Sequence, residues 1–182
     1  MSTTQDVYDD HEKGWPFEEV LKAGREGARA QQRRLQEYVA QNDPALAAAL
    51  AMEAARFEIV SRTVIEPAML ACASAATQRG WHVCVVRDDD LDRLALFATP
   101  GIRFYCSRQP SRTVAGGVIW PPCFVSFYGS ARSLAVETHV ELSQLDGDAV
   151  PTYQPLLSYP DVTSGTVRAV LAAFFNDLKR IG

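Results

Sequence analysis

The chain has 182 residues, 22 acidic and 18 basic, with a formal net charge of −4, 47% apolar residues and 22% charged ones. These proportions are ordinary for a soluble globular protein, and a chain this long folds without a metal or disulfide staple. The negative balance disfavours a generic nucleic-acid binder, which needs a concentrated positive field over phosphates.

The opening residues Met1 to Asp6 have no basic stretch followed by an apolar one. No run approaches the roughly 18 apolar residues of a membrane span. The expectation is a cytoplasmic protein with no membrane segment. Fifteen of the 18 basic residues are Arg, which fits a GC-rich bacterial genome. The four cysteines, Cys72, Cys84, Cys106 and Cys123, form no CxxC. Each lies in an apolar or alternating run, so they read as buried thiols.

Residues 1–14 are polar and acidic and read as a mobile arm, followed by one domain over 15–182. Helical spacing fills 17–79. Phe17, Leu21, Gly24, Ala28, Gln31, Leu35 and Tyr38 recur at alternating spacings of four and three, a stripe of mostly small residues. Arg25, Arg29, Arg33 and Arg34 lie on the other face, with Glu18, Glu19, Glu26 and Glu37 around them as in a solvated helix. Asn42-Asp43-Pro44 marks a boundary, with Asp43 as N-cap and Pro44 in the first turn. Seven alanines between Ala45 and Ala55 make the next stretch a strong helix. The short link predicts an antiparallel helical hairpin. Pro67 predicts a kink, or a break with a new helix opening there. Gly80 closes the helical part.

After Gly80 the rhythm changes to short alternating runs over 81–142. Trp81 to Val86 reads as a strand, Asp88-Asp89-Asp90 as a turn, and Leu91 to Thr99 as the hairpin partner. Ile102 to Ser107 is a third strand. Gly116-Gly117 suggests a bulge or loop within Thr113 to Trp120. Phe124 to Tyr128 is a short aromatic strand. Leu134 to Leu142 alternates cleanly, with Leu134, Val136, Thr138, Val140 and Leu142 on one side. Residues 143–163 read as loop. The helix over 164–181 is amphipathic, with Thr163 or Ser164 as N-cap and Val167, Val170, Leu171, Phe174, Phe175 and Leu178 at helical spacing. The fold class is therefore α+β: an N-terminal helical hairpin, a mainly antiparallel sheet of four to five strands, and a C-terminal amphipathic helix.

Three constellations bear chemistry. Glu137, His139 and Glu141 share a strand face at about 6.8 Å between alternate residues, a ligand set suited to zinc, manganese or iron if His82 or an Asp from 88–92 joins it. The plainer account is a solvated sheet face. Asp88-Asp89-Asp90-Leu91-Asp92 lacks the layout of a calcium loop and reads as a solvated turn. Arg87, Arg93, Arg103, Arg108 and Arg112 offer guanidiniums for an anion or partner, with Trp120 nearby. Nucleophile elbows, phosphate loops, dinucleotide fingerprints and HExxH are absent.

These features favour a non-catalytic interaction or regulatory module without a cofactor, of the chaperone, inhibitor or immunity type. It would meet a protein partner or a second copy through helices 17–65. A metal-dependent hydrolase or nuclease using Glu137, His139 and Glu141 is one alternative. An anionic small-molecule sensor using Arg103 and Arg108 is another.

Overall fold

The computed structural model describes residue 30 and residues 33–88, 97–108, 112–114, 117–119, 123–142 and 155–181. The expected arm, the first part of the hairpin over 17–29, Asp89 to Asp92, Arg93 and Trp120 lie outside the described residues.

Helix α1 covers 33–42 and is followed by one non-helical residue, Asp43. Asp43 caps helix α2 (Pro44–Val60), its carboxylate accepting from the Leu46 N–H at 2.9 Å, with Pro44 at the first turn. The chain then passes through a π-helical turn, Ser61–Ile65, into helix α3 (Glu66–Thr77). This is how the chain accommodates Pro67. A proline inside a helix removes an N–H and crowds the carbonyl four residues back. The wider π turn lies immediately before it, closed by the Glu66 N–H donating to the Ser61 carbonyl, and Pro67 sits in the first turn of α3. Gly80, at φ +82°, ends the helix, and the Trp81 N–H bonds back to the Ala76 carbonyl at 3.1 Å.

The strands are β1 (His82–Asp88), β2 (Gly101–Ser107), β3 (Arg112–Val114), β4 (Gly117–Ile119), β5 (Phe124–Ser130), β6 (Ala135–Glu141) and β7 (Leu156–Leu157). Five of them form an antiparallel sheet in the order β1-β2-β5-β6-β7, and β3 and β4 form a separate hairpin. The α+β class holds.

Several boundaries differ from expectation. The partner of β1 is β2, from His82 opposite Ser107 to Asp88 opposite Gly101. Of the Leu91 to Thr99 run expected as its hairpin partner, only 97–99 lie among the described residues. The described end of that run bridges Ala98 to Ser130 and so continues the β2 side of the ladder against β5. Leu134 is not a strand residue: it closes the β5–β6 turn at φ +52° with its side chain 61% exposed. Its N–H bonds to the Ser130 carbonyl at 2.8 Å, a one-turn closure that the alternating pattern could not reveal. The stretch expected as loop holds β7 and a 3₁₀ turn, Tyr159–Asp161.

Helix α4 (Ser164–Ile181) opens on Thr163. The Thr163 hydroxyl accepts from the Thr166 N–H at 3.2 Å, while the Thr166 hydroxyl accepts from the Thr163 N–H at 2.8 Å, a reciprocal cap.

One face of the sheet is lined by Ile102, Phe104 and Cys106 of β2, Val125 and Phe127 of β5, and Val136 and Val140 of β6, all buried. The helices cover this face. Ile65, Ala68 and Met69 come from the π turn and α3, and Val167, Leu171 and Phe174 from α4. Phe104 meets Phe174 and Phe175 edge-on, and Trp81 meets Phe175 at 5.6 Å. By length and composition alone the continuous Pro44–Thr77 helix is long and apolar enough to cross a membrane. In this fold its inner side forms the helical layer over the sheet.

Candidate functional site

The opposite sheet face carries the alternate residues: Arg103 and Tyr105 of β2, Phe124, Ser126 and Tyr128 of β5, and Glu137, His139 and Glu141 of β6. The pairing sets Arg103 opposite Ser126, itself opposite His139, and Tyr105 opposite Phe124, itself opposite Glu141. The Arg103 guanidinium lies 4.9 Å from the Phe124 ring centroid and donates to the Tyr105 hydroxyl at 3.2 Å. The Phe124 ring is flanked by Tyr105 at 5.5 Å and His139 at 5.8 Å.

The three expected ligands on β6 do not converge. Glu137 accepts from the Tyr128 hydroxyl at 3.2 Å and the Ser133 hydroxyl at 2.9 Å. His139 Nε2 lies 3.6 Å from Glu141 Oε2 instead. His82 stands on β1, three strand spacings from β6, or about 14 Å. Among the described residues, no three His, Cys, Asp or Glu side chains are placed to hold a metal ion.

The arginines also separate. Arg103 is on the sheet face away from the helices. Arg108 lies over the Trp81 ring at 4.9 Å, and that ring packs on Phe175 of α4. The two therefore do not face a common anion. Arg87 points to the helical side, donating to Glu58 at 3.0 Å and to Glu66 at 2.5 Å, so it clamps α2 to α3 across the π turn. Glu58 also pairs with Arg62. That hydrogen bond, with the Arg87 charge, holds the Glu58 carboxyl below its ordinary value. Arg112 lies in β3.

Two features escaped the sequence reading. The first is a buried polar knot. Glu53 of α2 is 3% exposed and Tyr159 8% exposed, and the Tyr159 hydroxyl donates to the Glu53 carboxylate. Burial, then the bond and charge of Glu53, push the Tyr159 hydroxyl pKa up. Arg56 stacks over the Tyr159 ring at 3.9 Å. No short motif announces such a pair, since its members are far apart in sequence.

The second is on the outside of α2. Ala45, Ala48, Met52, Ala55 and Ile59 recur at spacings of three and four, and all are exposed. Met52 is 75% exposed and Ile59 65%. The inner side of the same helix carries Glu53 and Phe57, buried, with Leu46, Leu50 and Val60 half-buried. The helix is thus apolar on two sides. The alanine density that made it a strong helix also hid the outer seam, because apolar residues occur at nearly every phase.

No family model matches the chain, and no curated protein or solved structure matches it either.

Proposed function

We propose that the protein is a non-catalytic interaction module that receives an apolar helix of a protein partner on the outer seam of α2. One observation supports this above the others: Met52 and Ile59 stand largely in water on a helix whose opposite side already serves the core. A helix covered on one side needs one apolar stripe, and a helix apolar on both sides is expected inside a larger assembly. The seam spacing is that of a narrow coiled-coil contact, and its alanines permit close approach between helix axes. Tyr38 of α1 is a further exposed aromatic residue, at 64%.

The test pairs the full chain with a Met52→Glu/Ile59→Glu variant. Both side chains are exposed, so the variant keeps its far-ultraviolet spectrum and melting temperature. Wild-type protein retains a stoichiometric partner from its native host, and the variant releases it. Equal retention by both proteins overturns the reading. A partner that is a second copy appears instead as a change in solution mass between the two proteins.

A further inference from the structure

The β2–β5 register extends one step beyond the last ladder pair, Tyr105 with Phe124, to set Cys106 opposite Cys123. The Cys106 N–H donates to the Cys123 carbonyl at 3.3 Å, which makes this a hydrogen-bonded cross-strand position. Directly opposed residues of this type have Cα atoms roughly 5.5 Å apart. That lies inside the range a disulfide spans. Strand alternation puts Cys106 on the helical side with Phe104, and directly opposed residues share a face, so the two Cβ atoms point the same way. Both are thiols in this structure. Cys72 lies on α3, and Cys84 on β1 is opposite Tyr105, on the other face of the sheet from Cys106.

We propose that Cys106 and Cys123 are a redox modification site: a cross-strand dithiol that closes reversibly to a disulfide by exchange with a low-molecular-weight disulfide. Cys123 is 7% exposed and precedes β5, whereas Cys106 is fully buried within β2. Burial, and then the charge of the Cys123 thiolate, push the Cys106 thiol up to about 12. Cys123, the one of the two with any exposure to solvent, is the thiol a small disulfide reaches first, and its thiolate form attacks. Its thiolate displaces one thiolate from the small disulfide, leaving a mixed disulfide on Cys123. Cys106 gives its proton to the departing thiolate and attacks the Cys123 sulfur, releasing the second small thiol. The sum converts two protein thiols and one small disulfide into one protein disulfide and two small thiols. The product ties the end of β2 to the start of β5 and closes a loop over 107–122.

The experiment equilibrates the full chain in mixtures of reduced and oxidised glutathione, traps remaining thiols by alkylation, and maps tryptic peptides. Cleavage at Arg108 and Arg112 separates the two cysteines. The expected product has Cys106 linked to Cys123, has Cys72 and Cys84 alkylated, and returns to four thiols with dithiothreitol while the far-ultraviolet spectrum stays folded. A Cys72→Ala/Cys84→Ala variant keeps the linkage. Cys123→Ala loses it and also loses the rise in melting temperature on oxidation. Four alkylated thiols at the most oxidising ratio, glutathione adducts alone, or a linkage through Cys72 or Cys84 overturns the proposal.

Discussion

Gly129→Ala tests how tightly α2 is seated on the sheet. Gly129 lies on the helical face of β5, and a Cβ there would meet Phe57 Cβ at 2.9 Å, the Tyr159 hydroxyl at 3.0 Å and Glu53 Oε1 at 3.1 Å. Optimal carbon–carbon contact is about 3.5–4.0 Å. The Tyr159 and Glu53 atoms are ends of side chains, but the Phe57 Cβ is fixed to the helix backbone, so α2 itself must move outward. The strand cannot yield either. The Gly129 N–H donates to the Thr99 hydroxyl and its carbonyl accepts from the Thr99 N–H, both at 2.8 Å. Gly129 has no positive φ, so alanine suffers no backbone strain there. Overpacking costs about 1–3 kcal/mol, while loss of glycine freedom in the unfolded chain returns roughly 0.4–1 kcal/mol. The net expectation is a destabilisation of about 1–2 kcal/mol in equilibrium urea unfolding. Placing Gly129→Ala in a Tyr159→Phe background removes the 3.0 Å contact but not the 2.9 Å one, so the two effects add to less than their sum. A Gly129→Ala protein as stable as wild type would refute the close seating of Phe57 on β5.

The remaining predictions use the same unfolding measurement. Tyr159→Phe removes a donor to a buried carboxylate and costs about 1.5–3 kcal/mol. The raised Tyr159 pKa favours the fold fully below the ordinary tyrosine value, and that contribution is lost as pH climbs above it. Wild type therefore loses stability on the alkaline limb more steeply than Tyr159→Phe, and parallel limbs would count against the pair. Glu58 has a depressed pKa, so its contribution is present above the ordinary carboxylate range and disappears as pH falls through it. Glu58→Gln narrows its gap from wild type as the solution is acidified, and also as salt is added, because the group is nearly half exposed. A gap independent of both pH and salt would exclude the ion-pair origin. Thr163→Ala removes the hydroxyl that accepts from the Thr166 N–H and costs about 1 kcal/mol; no change would mean that the reciprocal cap is not formed in solution.

Much of the fold was legible because single residues act locally. Asp43 and Pro44 mark where α2 begins, Gly80 where the helix ends, and Thr163 where α4 begins, each by backbone chemistry confined to one turn. The alternation of β6 disclosed its two faces except at Leu134, where turn geometry overrode apolar character. What escaped was pairing. An alternating run shows which side chains share a face but not which strand lies beside it, so the pairing of β1 with β2 could not be read from the pattern. The proposed site residues share that weakness: spacing put Glu137, His139 and Glu141 on one face, but Tyr128 and Ser133 decided where Glu137 turned.

Arg87 shows the same limit from the energetic side. By sequence its nearest opposite charges are Asp88 and its neighbours, yet the pleat points it to the helical face, where Glu58 and Glu66 stand on either side of the π turn. That turn resets the helix phase before Pro67. Without it, Glu66 would be rotated relative to Glu58, and one guanidinium would not bridge both. Pro67, where a kink or a new helix was expected, sits in the first turn of α3, where α2 passes its apolar inner side to α3. The outer seam of α2 ends at Ile59, just before the same turn. Within the turn Arg62 is exposed, and just after it Glu66 is turned to Arg87 of β1 rather than to the outer side, so the seam proposed above is the Ala45 to Ile59 stretch that precedes the change of phase.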